Sequence, residues 1–114
     1  MEVEELSETF RKQLVQRFSK NFLDIHLLRL IDEQPMWGYK IIKETKKLLD
    51  VKLRHGAVYP LLNQLETQGY LNSRKEVKGR RVRKVYQITP RGIQLLNAYY
   101  DYLSEQLQKE DIQA

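Results

Sequence analysis

The chain has 114 residues with 20 Lys+Arg against 15 Asp+Glu, a net charge of +5, and its length suits one domain with helical extensions. Cysteine is absent, which excludes a disulfide framework, a thiolate zinc site and a cysteine nucleophile, and fits a reducing, cytoplasmic setting. No apolar run approaches the roughly 18 residues a membrane span needs, and the acidic start Met1-Glu2-Val3-Glu4-Glu5 is the opposite of a basic signal segment.

Leu6, Phe10, Leu14 and Phe18 recur every four residues, which predicts an amphipathic helix in an N-terminal arm over residues 1–20. Asn21 is placed to cap a second helix with Leu23, Leu27, Leu28 and Ile31 on one face, ending before Pro35. A third helix is expected over Trp37 to Leu49, with Ile41, Ile42, Thr45, Leu48 and Leu49 inward and Lys40, Lys43, Lys46 and Lys47 around the rest. Val51-Lys52-Leu53 alternates like a short strand. A fourth helix follows from about Ala57 to Gln68, with Val58, Leu61, Leu62 and Leu65 as its core stripe, Pro60 in or near its first turn and Gly69 as a left-handed cap. The period then changes. Tyr70 to Val77 and Arg83 to Ile88 read as two strands, joined by the basic loop Lys78-Gly79-Arg80-Arg81-Val82. Thr89 caps a last helix, with Pro90 at its first position, running to about Lys109. Its residues Ile93, Leu96, Tyr100, Leu103 and Leu107 step as a coiled-coil seam, and Leu95, Tyr99 and Tyr102 form a second stripe. Two stripes suggest two partners: the helix's own domain and something else.

Charge is unevenly spread. Lys40 to Arg91 holds 14 basic and 4 acidic residues, whereas the two flanks together hold 6 basic and 11 acidic. Between Asn72 and Arg91 stand 8 basic residues against Glu76 alone. Like charges packed into a turn repel, so an anionic partner offsetting that repulsion is the simpler account. The order of elements is that of a winged helix-turn-helix: mostly α with a small β-hairpin, over residues 21–89, extended by the N-terminal arm and by a C-terminal dimerisation helix and tail over residues 90–114. In it the fourth helix presents Tyr59, Asn63, Gln64 and Thr67 to a major groove about 12 Å wide. The hairpin reaches adjacent phosphates or the minor groove.

Three stretches carry a closer resemblance: Met36-Trp37-Gly38-Tyr39-Lys40-Ile41-Ile42; Gly56-Ala57-Val58-Tyr59-Pro60-Leu61-Leu62-Asn63-Gln64-Leu65-Glu66 with Gly69-Tyr70-Leu71; and Val85-Tyr86-Gln87-Ile88-Thr89-Pro90-Arg91-Gly92. Together, over roughly Phe22 to Leu96, they resemble the PadR family of transcriptional regulators. The resemblance implies a homodimer joined through its last helix, binding double-stranded DNA at a partly palindromic operator, usually as a repressor, with no cofactor. It points to Tyr59 and Asn63 on the groove-facing helix and to Gly79, Arg80 and Arg81 on the wing. The expected DNA-facing set adds Lys40, Arg54, His55, Gly56, Ala57, Gln64, Lys78 and Arg83. The expected dimer contacts are Leu6, Phe10, Leu14, Ile93, Leu96, Tyr100, Leu103 and Leu107. Some relatives bind flat aromatic compounds between their subunits, which leaves room for a small aromatic effector at this interface.

The chain departs from the family where Arg54-His55-Gly56-Ala57 replaces the usual Ser-Pro-Gly-Thr, removing a capping hydroxyl. Arg54 and His55 can replace a phosphate contact but not the cap. Trp37 stands where a histidine is commoner and reads as a packing residue; His26 reads as a surface residue among leucines. Two alternatives compete. A winged-helix module that binds protein or RNA often lacks a basic wing, and this chain has one. An enzyme would need paired carboxylates, a nucleophile with its base, a phosphate loop or metal spacing, and none stands out; Glu66 and Glu76 are isolated.

Overall fold

The computed structural model describes residues 3–49 and 55–108, with side chains over 7–48 and 56–108. Five helices and three strands follow in the order α1 (Val3–Asn21), α2 (Leu23–Glu33), β1 (Met36–Trp37), α3 (Gly38–Leu49), α4 (His55–Thr67), β2 (Leu71–Lys78), β3 (Arg81–Ile88) and α5 (Pro90–Leu107). The strands form one antiparallel sheet in the order β1-β3-β2. This is a winged helix-turn-helix, with β2 and β3 as the wing.

The core lies where α2, α3, α4 and the sheet converge. Leu27, Leu28 and Ile31 of α2, Ile41 and Thr45 of α3, Val58 and Leu62 of α4, Leu71 of β2 and Leu96 of α5 are fully buried. The helical stripes meet there because their apolar residues fall three and four apart. Thr45 satisfies its buried hydroxyl by donating to the Ile41 carbonyl at 2.7 Å. In the sheet, Tyr86 and Ile88 of β3 stand opposite Ser73 and Leu71 of β2, and this face packs inward.

Two junctions fix the wing against the helices. At the end of α4 the Gly69 amide donates to the Glu66 carbonyl (3.0 Å) and the Tyr70 amide to the Leu65 carbonyl (2.9 Å), with Gly69 at φ +84°. This paired closure needs a left-handed residue, which glycine adopts without strain. At the start of α5, Thr89 accepts from the Gly92 amide (3.1 Å) and donates to the Gly69 carbonyl (2.6 Å). A Cβ on Gly92 would stand 2.3 Å from the Tyr70 carbonyl oxygen, so only glycine lets α5 approach this closely.

Several expectations change. Asn21 caps nothing: it ends α1, and Phe22 takes the cap position of α2 without a side-chain bond. The backbone runs on nearly helical, since the Phe22 amide reaches the Phe18 carbonyl and the His26 amide the Phe22 carbonyl. Trp37 belongs to β1 rather than α3, because Met36 and Trp37 pair with Tyr86 and Val85. The expected strand Val51-Lys52-Leu53 lies outside the described residues, as does the Lys109 end of the last helix. Pro60 sits in the second turn of α4, because that helix begins at His55; it leaves the Gly56 carbonyl without its usual helical donor, at an exposed position. Leu48 is 61 % exposed, and His26, at 8 %, is buried on α2. Burial first, and Arg29 second, push the His26 imidazole below its ordinary pKa, which favours the neutral ring.

The close approach at Gly92 generates a prediction. Gly92→Ala should destabilise the fold by about 1–3 kcal/mol, since backbone rather than a side chain must yield. Gly56→Ala, whose added Cβ meets nothing within 4 Å, should stay within about 1 kcal/mol of the parent. Urea unfolding of the two variants checks the contrast.

Candidate nucleic-acid interface

Burying Val58, Leu62 and Leu65 turns the opposite side of α4 outward, with Tyr59 and Asn63 exposed on it. Tyr59 leans toward the start of α3: a Cβ on Gly38 would lie 2.7 Å from its Cε1 atom. Glycine at position 38 therefore lets the phenol pack against the helix start while remaining 45 % exposed. On the other side stands β3. Since β1 pairs only with Val85 and Tyr86, the outer half of β3 continues past it toward the wing tip. Trp37, Gly38, Tyr39, Tyr59 and Asn63 then share one open cleft of about 490 Å³ with Arg81, Val82, Arg83, Lys84 and Tyr86. The outer face of α4 and the cationic strand of the wing thus open to the same side.

The turn is tighter than expected. Lys78 and Arg81 pair, leaving Gly79 and Arg80 as its two central residues, with Gly79 at φ +62°. Both are exposed, as are Lys78, Arg81, Gly56, Ala57 and Gln64. Of the residues expected to face DNA, Tyr59, Asn63, Arg81 and Arg83 meet in the cleft. Lys40 and Lys78 do not: they line a second recess with Arg74 and Glu76, on the other side of Trp37 and Arg83, which line both. Arg54 lies outside the described residues; His55 begins α4, its side chain likewise outside them. Among the expected dimer contacts, Leu96 is corrected: at 2 % exposure it belongs to the protomer's own core. Phe10, Leu14, Ile93, Tyr100, Leu103 and Leu107 are exposed, and the Leu6 side chain is outside the described residues.

Glu66 is not isolated. It accepts from the Ser73 hydroxyl on β2, and its Oε1 lies 3.0 Å from Lys84 Nζ on β3. One carboxylate on α4 therefore holds both strands of the wing, and Lys84 is engaged inward while Arg80 and Arg81 are left outward. The Ser73 hydrogen bond pulls the Glu66 carboxyl below its ordinary pKa; partial burial opposes this, and Lys84 adds to it. The hydrogen bond to Glu66 in turn holds Lys84 above its ordinary value. Glu76 pairs loosely with Arg74 at 4.0 Å, both well exposed. Among the described residues no group of acidic and histidine side chains could hold a metal ion, and no helix is long and apolar enough to cross a membrane.

A basic wing and the exposed face of α4, opening to one side, make this a winged-helix domain with a candidate nucleic-acid interface. The sequence model of the PadR-like family of transcriptional regulators matches residues 27–98, and the chain belongs to that family, whose members are transcription factors and not enzymes. No curated protein sequence matches it. Among solved structures it is similar to a PadR family transcriptional regulator from Eggerthella lenta, at 24% identity and TM-score 0.69, covering 90% of this chain and 93% of that one. It is also similar to a PadR-like transcription factor from Bacteroides fragilis (21% identity, TM-score 0.71, 96% and 99% covered). A third is smu.1704 from Streptococcus mutans (27% identity, TM-score 0.64, 77% and 81% covered).

The Glu66 contacts predict a pH-dependent clamp. A carboxyl whose folded pKa is depressed contributes stability that is present above its unfolded value of 4.5 and is lost as pH falls through the folded value. Glu66→Gln should cost up to about 1 kcal/mol near neutral pH, the pair being partly exposed. Denaturant unfolding at neutral and acidic pH should show the difference from the parent shrinking below that value.

Proposed function

We propose that this chain is a sequence-specific, DNA-binding transcriptional regulator that acts as a homodimer in the cytoplasm, as a repressor on a partly palindromic operator. The observation that carries the reading is the shared cleft: Tyr59 and Asn63 of α4 open to the same side as Arg81 and Arg83 of the wing. In this reading α4 lies in the major groove, with Asn63 on a base edge and Tyr59 on groove wall or backbone. Gln64, Gly56 and Ala57 lie along the same helix, and Arg54 and His55 at its start meet phosphates. Lys78, Gly79, Arg80, Arg81 and Arg83 hold the neighbouring backbone or minor groove, and Lys40 contacts backbone from the second recess.

The dimer reading rests on exposed apolar residues of two helices. Ile93, Tyr100, Leu103 and Leu107 on α5 and Phe10 and Leu14 on α1 leave apolar surface facing water in the single chain. A second copy would cover it and set two reading helices about 34 Å apart, one turn of DNA. A small aromatic effector at that interface would meet Tyr100 and Tyr102, both exposed.

Selection of bound duplexes from a random pool tests the reading: one enriched sequence with two-fold symmetry is expected, and no enrichment would refute it. Arg80→Ala with Arg81→Ala should weaken binding to all duplexes and flatten its dependence on salt, by about one unit of slope for each phosphate no longer neutralised. Asn63→Ala should instead relax base preference at one position by about 1–3 kcal/mol and leave non-specific binding largely intact. Fluorescence anisotropy over a salt series separates the two. For assembly, the parent should sediment as a dimer and Tyr100→Asp with Leu103→Asp as a monomer.

A further inference from the structure

Trp37 looks in the sequence like a packing residue, yet it is only half buried, and its ring is turned to the wing. The Arg83 guanidinium carbon lies 4.1 Å from the indole centroid, and the Tyr39 ring stands 5.3 Å away on the far side of Gly38 in sequence. Trp37 is held by β1, whose pairing with Val85 brings the indole beside Arg83, two residues along β3. The stack separates the two concavities of this face, the one with Tyr59 and Asn63 and the one with Lys40 and Lys78.

Arg83 is held without being neutralised. Among the described residues its Nε, shut from solvent, has no hydrogen-bond partner. Glu76, directly opposite in the β2–β3 register, has its ion pair with Arg74 instead. An exposed arginine usually loses several rotamers when it grips a phosphate, and that loss weakens binding. A guanidinium already held over an indole has lost part of that freedom beforehand, and its two terminal amino groups, unlike the enclosed Nε, remain to donate to phosphate oxygens.

We propose that Trp37 is a positioning residue for DNA binding: its indole holds the Arg83 guanidinium in the orientation that meets a backbone phosphodiester of the duplex. Trp37 acts through Arg83 and not by touching a base. The inference rests on the DNA-binding reading above and adds to it a residue outside the wing and outside the reading helix.

A double-mutant cycle on the full chain tests it, with a labelled random-sequence duplex as the probe. Trp37→Leu keeps an apolar residue and removes the π face; Arg83→Gln removes the cation. Each should weaken duplex binding about 3- to 10-fold, and the double variant should be no weaker than the weaker single one, because both remove the same contact. Trp37→Phe should recover most of the loss. Multiplying losses in the double variant, or Trp37→Phe as weak as Trp37→Leu, would overturn the proposal, since a merely structural role would be indifferent to Arg83 and would track the melting temperature.

Should Trp37→Leu not fold, the native tryptophan, the single one in the chain, supplies the readout. Adding the duplex should change its emission in the parent and not in Arg83→Gln; equal changes in both would refute the role. A parent that binds duplex with a cycle that multiplies removes only the positioning role. A parent that binds no duplex at any salt concentration removes the DNA reading, and this inference with it.

Discussion

The β2–β3 hairpin sets like charges directly across from one another: Lys75 faces Lys84, and Lys78 faces Arg81. Such pairs oppose strand pairing, and with Arg74, Arg80 and Arg83 they bring seven cations onto two short strands and their turn. What holds them together is attachment at the inner end. Leu71, Tyr86 and Ile88 anchor the hairpin to the core, and Glu66 takes Lys84 and Ser73 from the side. The repulsion is concentrated at the outer end, where Lys78, Arg80 and Arg81 stand in solvent. A local conflict that the fold tolerates, rather than removes, is the mark of a surface completed by something else, and a polyanion is the partner that relieves this one.

Much of this architecture is legible in the residues. The stripes of α2 and α4, the stop before Pro35, the caps at Gly69 and Thr89 and the change of period after Gly69 all express local rules, and the chain obeys them. The misses share a cause. β1 is two residues long, too short for alternation to register, and it exists only because Val85 and Tyr86 lie 48 and 50 residues beyond their partners Trp37 and Met36. Asn21 has the right chemistry for a cap, but helix α1 runs through it and leaves no break for a cap to fill. Leu96 fits the seam spacing of α5, yet the helix turns that position into the protomer's own core, which spacing along one helix does not reveal.

The candidate interface divides in the same way. Exposed cations on a glycine turn announce themselves; Tyr59 and Asn63 follow from the core stripe of α4 by subtraction. Glu66 and Trp37 do not, because each matters through a partner on a distant strand. Glu66 meets Ser73 seven residues and Lys84 eighteen residues later, and Trp37 meets Arg83 across the sheet. A contact of that kind is a property of topology. Lys84 shows the consequence: it is one cation among eight in the basic run, and only its pairing with Glu66 sets it apart from the outward arginines.

The glycines of the shared motifs acquire a physical meaning from the same geometry. Gly38 admits the Tyr59 ring against the start of α3, so a residue that shapes the outer face of α4 lies on a different helix. Gly92 admits the Tyr70 carbonyl, which is also the acceptor for the Thr89 amide at 3.1 Å. The end of α4, the start of the wing and the start of α5 therefore meet around one carbonyl. Moving α5 would pull on this junction, and α5 carries the exposed apolar residues Ile93, Tyr100, Leu103 and Leu107. Whatever covers those residues is mechanically joined, through Gly92 and Thr89, to the angle at which the cationic strands stand beside α4. That junction joins α5 to the wing through hydrogen bonds at Tyr70, Thr89 and Gly92.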